Sequence, residues 1–257
     1  MTDEAQRIQD ALRAMAYADR ELVRVPPFTA AIDPVDPMPF MSYAVPDAGA
    51  SRWPAEAIDE LCDAFRARRR APRLEVVEAC WPGLEPALTA RGFEVELRSL
   101  GMACAPADTA EAPLPGGARI EAVGPDASDA SIAAVLATRG AAFADLGALE
   151  PPDAEHVERF RRRGIGTVLA RSAGGELLGV ASWVPPALGV SEIVAVGVPE
   201  AHRRRGIAAA VTAAAARAAF AAGADLAFLT PGHDAAARVY ARAGFRPSVR
   251  CLHLISR

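Results

Sequence analysis

Residues 190–222 read VSEIVAVGVPEAHRRRGIAAAVTAAAARAAFAA. A short apolar run, an arginine-rich turn and a long alanine run follow one another. The apolar run predicts a strand over 193–198, and the alanine run predicts a helix opening at about Gly206. The first amides of a helix have no intrahelical partner, and together with the helix dipole they favour a phosphate or pyrophosphate. Gly206 lets a ligand approach the backbone with no Cβ in the way, and Ala208 is nearly as small. Arg203, Arg204 and Arg205 add charge that can reach the same anion. The plainer reading of 203–208 is a solvated basic helix start.

The run Arg-Arg-Arg-Gly-Ile occurs twice. Arg161-Arg162-Arg163-Gly164-Ile165-Gly166 repeats it, but after a predicted helix (153–163) and before a predicted strand (167–171). There the arginines fall at a helix C-terminus, where cations are stabilised and anions repelled, and Gly164 reads as a left-handed cap. Only the copy at 203–208 has a strand before it and a helix after it.

A second motif lies about thirty residues downstream. His233-Asp234-Ala235-Ala236-Ala237-Arg238-Val239-Tyr240-Ala241-Arg242-Ala243-Gly244-Phe245 is a predicted helix stopped by glycine, after a predicted strand over 226–230. In this order, Arg203-Arg204-Arg205-Gly206-Ile207-Ala208 resembles the R-x-x-G-x-A acyl-CoA pyrophosphate loop of the GNAT (Gcn5-related N-acetyltransferase) family. Residues 233–245 resemble that family's N-x-x-A-x-x-x-Y-x-x-x-G-F segment, with His233 in place of the asparagine. The resemblance covers 118–257 and implies an α/β (α+β) fold: a central mixed, mostly antiparallel sheet flanked by helices.

The resemblance also implies chemistry. Acetyl-CoA is the expected co-substrate, and acetyl transfer to an amine by direct attack is the expected reaction. Its cofactor site falls on Val196, Gly197, Val198, Arg203, Arg204, Arg205, Gly206, Ile207 and Ala208, with the strand splayed from its neighbour. Tyr240 takes the place of the general acid at the thioester sulfur; a phenol is protonated at neutral pH. Glu192 lies eleven residues before Arg203 and resembles the glutamate base of the histone-acetyltransferase branch; a rim carboxylate in a salt bridge is the other reading. His233 is the second candidate base, and it binds cofactor, catalyses or caps its helix. Predicted helices over 128–146 and 153–163 would line the acceptor pocket, with Phe143, Leu146 and Phe160 as walls and Asp145, Glu150 and Asp153 as ammonium partners. A non-catalytic acyl-CoA-binding or regulatory module is the alternative function.

Composition narrows the partners. With 257 residues, 51% of them hydrophobic, the chain can bury one large or two modest cores. A net charge of −4 supplies no field to collect nucleic acid. The clusters at 66–70 and 161–163 end predicted helices. The four cysteines and four histidines show no metal-ligand spacing, so no metal site is expected. The N-terminal MTDEAQRIQDALRAM is charged and amphipathic, and no apolar run approaches about 18 residues. These features predict a cytoplasmic protein with free thiols, without membrane or nucleic-acid partners. The expected acceptor is a small-molecule or peptide amine, and the expected state a monomer or homodimer.

Residues 106–117, within the aperiodic stretch APADTAEAPLPGG, read as a linker between 1–105 and 118–257. In the first part the expectations are a helix over 3–24, strands over 40–45 and 74–79, helices over 54–70 and 83–90, and a strand or hairpin over 93–104. Leu88-Thr89-Ala90-Arg91-Gly92-Phe93 echoes Tyr240-Ala241-Arg242-Ala243-Gly244-Phe245. Residues 40–104 thus read either as a degenerate, cofactor-free GNAT-like copy or as an unrelated α/β cap; 46–52 lacks the spacing and cationic turn of a phosphate loop.

Overall fold

The computed structural model describes residues 3–18, 20–143 and 152–257. The first part of the chain forms α1 (Asp3–Tyr17), β1 (Glu21–Val25), β2 (Phe28–Ile32), β3 (Tyr43–Pro46), α2 (Ala55–Arg66), β4 (Arg73–Val77), α3 (Leu84–Thr89) and β5 (Glu94–Cys104). The second part forms β6 (Arg119–Val123), α4 (Asp129–Ala142), α5 (Ala154–Arg163), β7 (Gly166–Arg171), β8 (Leu177–Trp183), β9 (Val190–Gly197), α6 (Ile207–Ala221), β10 (Leu226–Leu229), α7 (Asp234–Ala241) and β11 (Arg246–Ile255). Two units result: Met1–Gly101 with Pro247–Arg257, and Met102–Arg246. Among the described residues no helix is long and apolar enough to cross a membrane, and no three His, Cys, Asp or Glu side chains are grouped to hold a metal.

The second unit is built on strands in the order β6-β7-β8-β9-β10, closed by Met102–Cys104 of β5. All its neighbours pair antiparallel except β9 and β10, which are parallel. Helix α6 supplies the crossover between those two, as parallel pairing requires. Its alanines at 209, 210, 213, 214, 215, 216 and 219 are buried. Side chains this small let the helix axis approach the sheet closely, and Ile207 and Val211 fill what remains of the core with Val168, Leu178, Ile193 and Phe245. A Cβ on Gly179 would lie 2.8 Å from Ile207 Cγ2, so the bare glycine seats the first turn of the helix on β8. A second cluster packs α4 and α5 through Ile132, Val135, Val157 and Phe160 against Val123, Leu169 and Val180. Asp153 caps α5, and Gly164 ends it at φ 60° with its amide on Arg161 O, as the sequence around that Arg-Arg-Arg-Gly run predicts.

The first unit orders its strands β1-β2-β3-β4-β11, followed by β5. Here too one pair is parallel, β3 with β4, and a helix, α2, makes the crossover. Phe28, Ile58, Leu61, Phe65, Leu74, Leu84 and Leu252 form its core. The buried Gln9 of α1 is anchored by its side-chain oxygen, which accepts from Val77 N (2.7 Å) and Trp81 Nε1 (2.9 Å).

Several expected elements differ. The helix predicted over 3–24 stops at Tyr17, because residues 21–32 form a hairpin whose turn is Pro26-Pro27 and whose strands register Val25 with Phe28. β2 is buried at all five positions, so it lacks the alternation that would mark it as a strand. The strand predicted over 40–45 begins only at Tyr43, after a single 3-10 turn Pro39–Met41. Residues 94–104 form one strand, not a hairpin. The strand pair predicted over 245–256 is a single ten-residue strand; Pro247 sits exposed near its start, where a missing N–H is tolerated.

Candidate active site

The site begins where β9 leaves β10. Their register runs Val190 with Leu226, Ser191 with Ala227 and Glu192 with Phe228, and no pair follows. On its other side β9 stays with β8, but with an irregularity: Ser182 faces Val194 and Val180 faces Gly197. Two residues, Ala195 and Val196, therefore oppose Ala181, and Ala195 takes φ 51°. This is a bulge, which bends a strand and increases its twist. The last residues of β9 thus run free of β10 on the side where a parallel neighbour would have paired.

Gly197 ends β9 and is buried; a Cβ there would lie 2.6 Å from Ala142 Cβ and 3.1 Å from Phe143 Cε2. The chain then turns through Pro199 and a short 3-10 segment, Glu200–His202, into the three arginines. Arg203 donates its Nε to Val198 O (3.2 Å), Arg204 adopts φ 66°, and Arg205 Nη1 lies 3.4 Å from His202 Nδ1. Gly206 caps α6 at φ 80°, with no side chain supplying the cap hydrogen bond. A Cβ on Gly206 would meet nothing within 4 Å, so it is the backbone conformation that favours glycine there. Ile207 is buried and Ala208 half-buried. The strand, turn and glycine-capped helix start expected at 193–208 are present.

Glu192 is half-buried, and its backbone carbonyl accepts from Val184 N (2.9 Å). Its neighbour Ser191 donates its hydroxyl to Val184 O (2.6 Å), so the end of the β8–β9 hairpin is clamped beside it. Tyr240 on α7 is half-buried and packs on the core cluster that Val196 and Val198 also cover. Burial pushes its phenol above the ordinary tyrosine value, which keeps it protonated. His233 is exposed and serves as the cap of α7: its Nδ1 accepts from Ala236 N (3.1 Å).

The acceptor-side expectations fare differently. Phe160 is 4% exposed inside the α4–α5 core, so it is packing and not a pocket wall. Asp153 accepts from His156 N (3.0 Å) and meets His156 Nδ1 (2.7 Å), which commits its carboxylate to capping. Those backbone and side-chain bonds hold its carboxyl below the usual aspartate range. Phe143 reaches the end of β9 as described. Asp145, Leu146 and Glu150 lie outside the described residues. Two features of the site carried no sequence signal: the bulge at Ala195, a residue with no preference for positive φ, and the His202–Arg205 contact.

Comparison with known proteins agrees with this geometry. Residues 170–245 match the Acetyltransferase (GNAT) family model. A GCN5-related N-acetyltransferase from Kribbella flavida superposes with a TM-score of 0.80 at 32% identity, covering 98% of this chain and 95% of that one. A tandem GNAT protein from the clavulanic acid biosynthesis pathway (TM-score 0.61, 16% identity, 89% and 78% covered) shares the fold. So does a GCN5-related N-acetyltransferase from Sphaerobacter thermophilus (0.61, 17%, 90% and 76%). No curated protein sequence matches the chain. The open-edged strand, the glycine-capped helix after it and the likeness to the Kribbella flavida protein along nearly the whole chain lead to one conclusion: the chain belongs to the GCN5-related N-acetyltransferase family of acyltransferases.

Proposed function

We propose that the protein transfers an acetyl group from acetyl-CoA directly to an amine. The observation that carries this reading is the parting of β9 from β10 after Glu192, which leads through the Ala195 bulge into the arginine turn and the capped start of α6. The amides of 207–209, with Arg203, Arg204 and Arg205, suit a pyrophosphate. The open edge of β9 at Val196, Gly197 and Val198 suits an amide-bearing arm that needs strand-like partners. Acetyl-CoA supplies the acyl group as a thioester. The chain's own part is to hold the two reactants, polarise the carbonyl through backbone donors near the bulge, and move two protons. Glu192 takes the proton of the incoming ammonium, directly or through water. Tyr240 gives a proton to the departing sulfur. His233 supports α7 as its cap.

We further propose that the first unit is a degenerate copy that holds no cofactor. Its order β1-β2-β3-α2-β4-α3 repeats β7-β8-β9-α6-β10-α7, including the parallel crossover. Where the second unit has its arginine turn, the first has Trp53, whose ring stacks on Phe28 (5.6 Å) and donates its N–H to Pro82 O (3.1 Å). A turn with one arginine, Arg52, and a stacked Trp53 in place of three arginines does not suit a pyrophosphate.

Calorimetric titration with acetyl-CoA, followed by thiol release against a panel of amines, tests the reading. One site per chain and amine-dependent thiol release are expected. Two sites would overturn the degenerate-copy proposal, and no binding would overturn the function.

A further inference from the structure

His202 stands apart from its surroundings. It closes the 3-10 turn Glu200–His202 among exposed residues, yet its own side chain is only 12% exposed. Its two ring nitrogens face different partners: Nε2 is 3.3 Å from Glu176 Oε1, and Nδ1 is 3.4 Å from Arg205 Nη1. A guanidinium has only donors, so Nδ1 accepts, and Nε2 then faces the Glu176 carboxylate at ion-pair distance. The ring is thereby held between two charged side chains. Glu176 is itself anchored, with its amide on Ser172 Oγ (3.0 Å) and its carbonyl on Ser172 N (2.9 Å), in the turn before β8.

We propose that His202 is a positioning residue, braced by Glu176, that aims Arg205 at the anionic part of the cofactor. This rests on the reading of 206–208 as an anion site. Arg205 is the residue directly before the Gly206 cap, and one Nη1 bond to His202 leaves donors on Nε and Nη2 for phosphate oxygens. A long side chain fixed beforehand loses less freedom on binding than a solvated one, so the brace contributes affinity without touching the ligand. The acyl-transfer step itself does not involve it.

The experiment is a set of steady-state measurements with acetyl-CoA on the full chain and on His202→Ala, His202→Gln, Arg205→Ala and the double alanine variant, with melting temperatures as the check on folding. His202→Ala is expected to raise KM for acetyl-CoA about 10-fold, the scale of one charge-assisted hydrogen bond, and to leave kcat essentially unchanged. Gln can accept from Arg205 and donate to Glu176, so His202→Gln should recover most of the loss. In the Arg205→Ala background, removing His202 should change KM little further. Additive effects in the double variant, or a well-folded Gln variant that recovers nothing, would overturn the assignment alone. A wild-type protein that binds no acetyl-CoA would overturn the anion-site reading and this assignment with it.

Discussion

Glu192 on β9 and Phe228 on β10 form the last register pair of their parallel ladder, and three residues later Ala195 turns to φ 51°. A side chain in the left-handed region is strained, more so if β-branched. Ala195→Val should therefore cost about 1–3 kcal/mol of stability in urea titration and weaken acetyl-CoA binding, while Ala195→Gly should match or exceed wild-type stability. Equal stability for the two variants would mean the bulge does not exist in solution.

Tyr240 is held protonated by burial. Tyr240→Phe should lower kcat about 100-fold, the scale of a lost general acid, with acetyl-CoA affinity unchanged. The phenol must be protonated to act, so wild-type activity should persist below its raised pKa and fall only above the ordinary value of 10.0. A pH–rate profile falling well below that value, or full activity in the Phe variant, would remove Tyr240 from the chemistry.

Gly206 separates conformational demand from steric demand. Its added Cβ would meet nothing, yet φ is 80°. Gly206→Ala should cost about 1 kcal/mol, whereas Gly206→Asn should cost less because asparagine tolerates the left-handed region. Denaturant melts of the two variants check the order.

In the first unit His253 lies opposite Glu75 in register, with Nδ1 3.1 Å from Arg73 Nη2; Arg73 also pairs with Glu75 and Glu96. Burial depresses the imidazole below its ordinary 6.5, aided by Arg73 and opposed by Glu75 and Glu96. Unfolding frees it to bind a proton, so this contribution is complete above pH 6.5 and is lost as pH falls toward the folded value. Stability should drop as pH falls below 6.5, and His253→Gln should flatten that drop. Against the desolvation of burial, His253, Arg73 and Arg20 hold the Glu75 carboxyl below 4.5, so Glu75 acts at more acid pH and the comparison is read above that range. Parallel acid limbs for both proteins would show that His253 is neutral in effect.

The stretch from β9 to α7 was legible because each signal there is local: a glycine that caps α6, alanines that pack it, a cap residue and a glycine stop for α7. The two Arg-Arg-Arg-Gly runs separated correctly because the elements flanking them decide whether arginines meet a helix start or a helix end. The first hairpin was not legible, since Pro26-Pro27 reads as linker and the buried run 28–32 has no period. The pairings around the site were also hidden. Glu176 and His202 are far apart in sequence, and only the placing of the β7–β8 turn brings them together. Phe160 illustrates the remaining error: an aromatic on an amphipathic helix fits a core and a pocket equally well until its neighbours are known.

The strand β4 pairs with β11, and the last residues of β5 pair with β10. The first unit thus finishes its sheet with a segment encoded after the whole of the second. On a ribosome adding 5–20 residues per second, β4 waits about 9–35 s for a partner encoded roughly 170 residues later. Until then its edge is an open template, vulnerable to pairing with other nascent chains. Expressed as residues 1–101 alone, the first unit would lack β11 and carry an incomplete sheet.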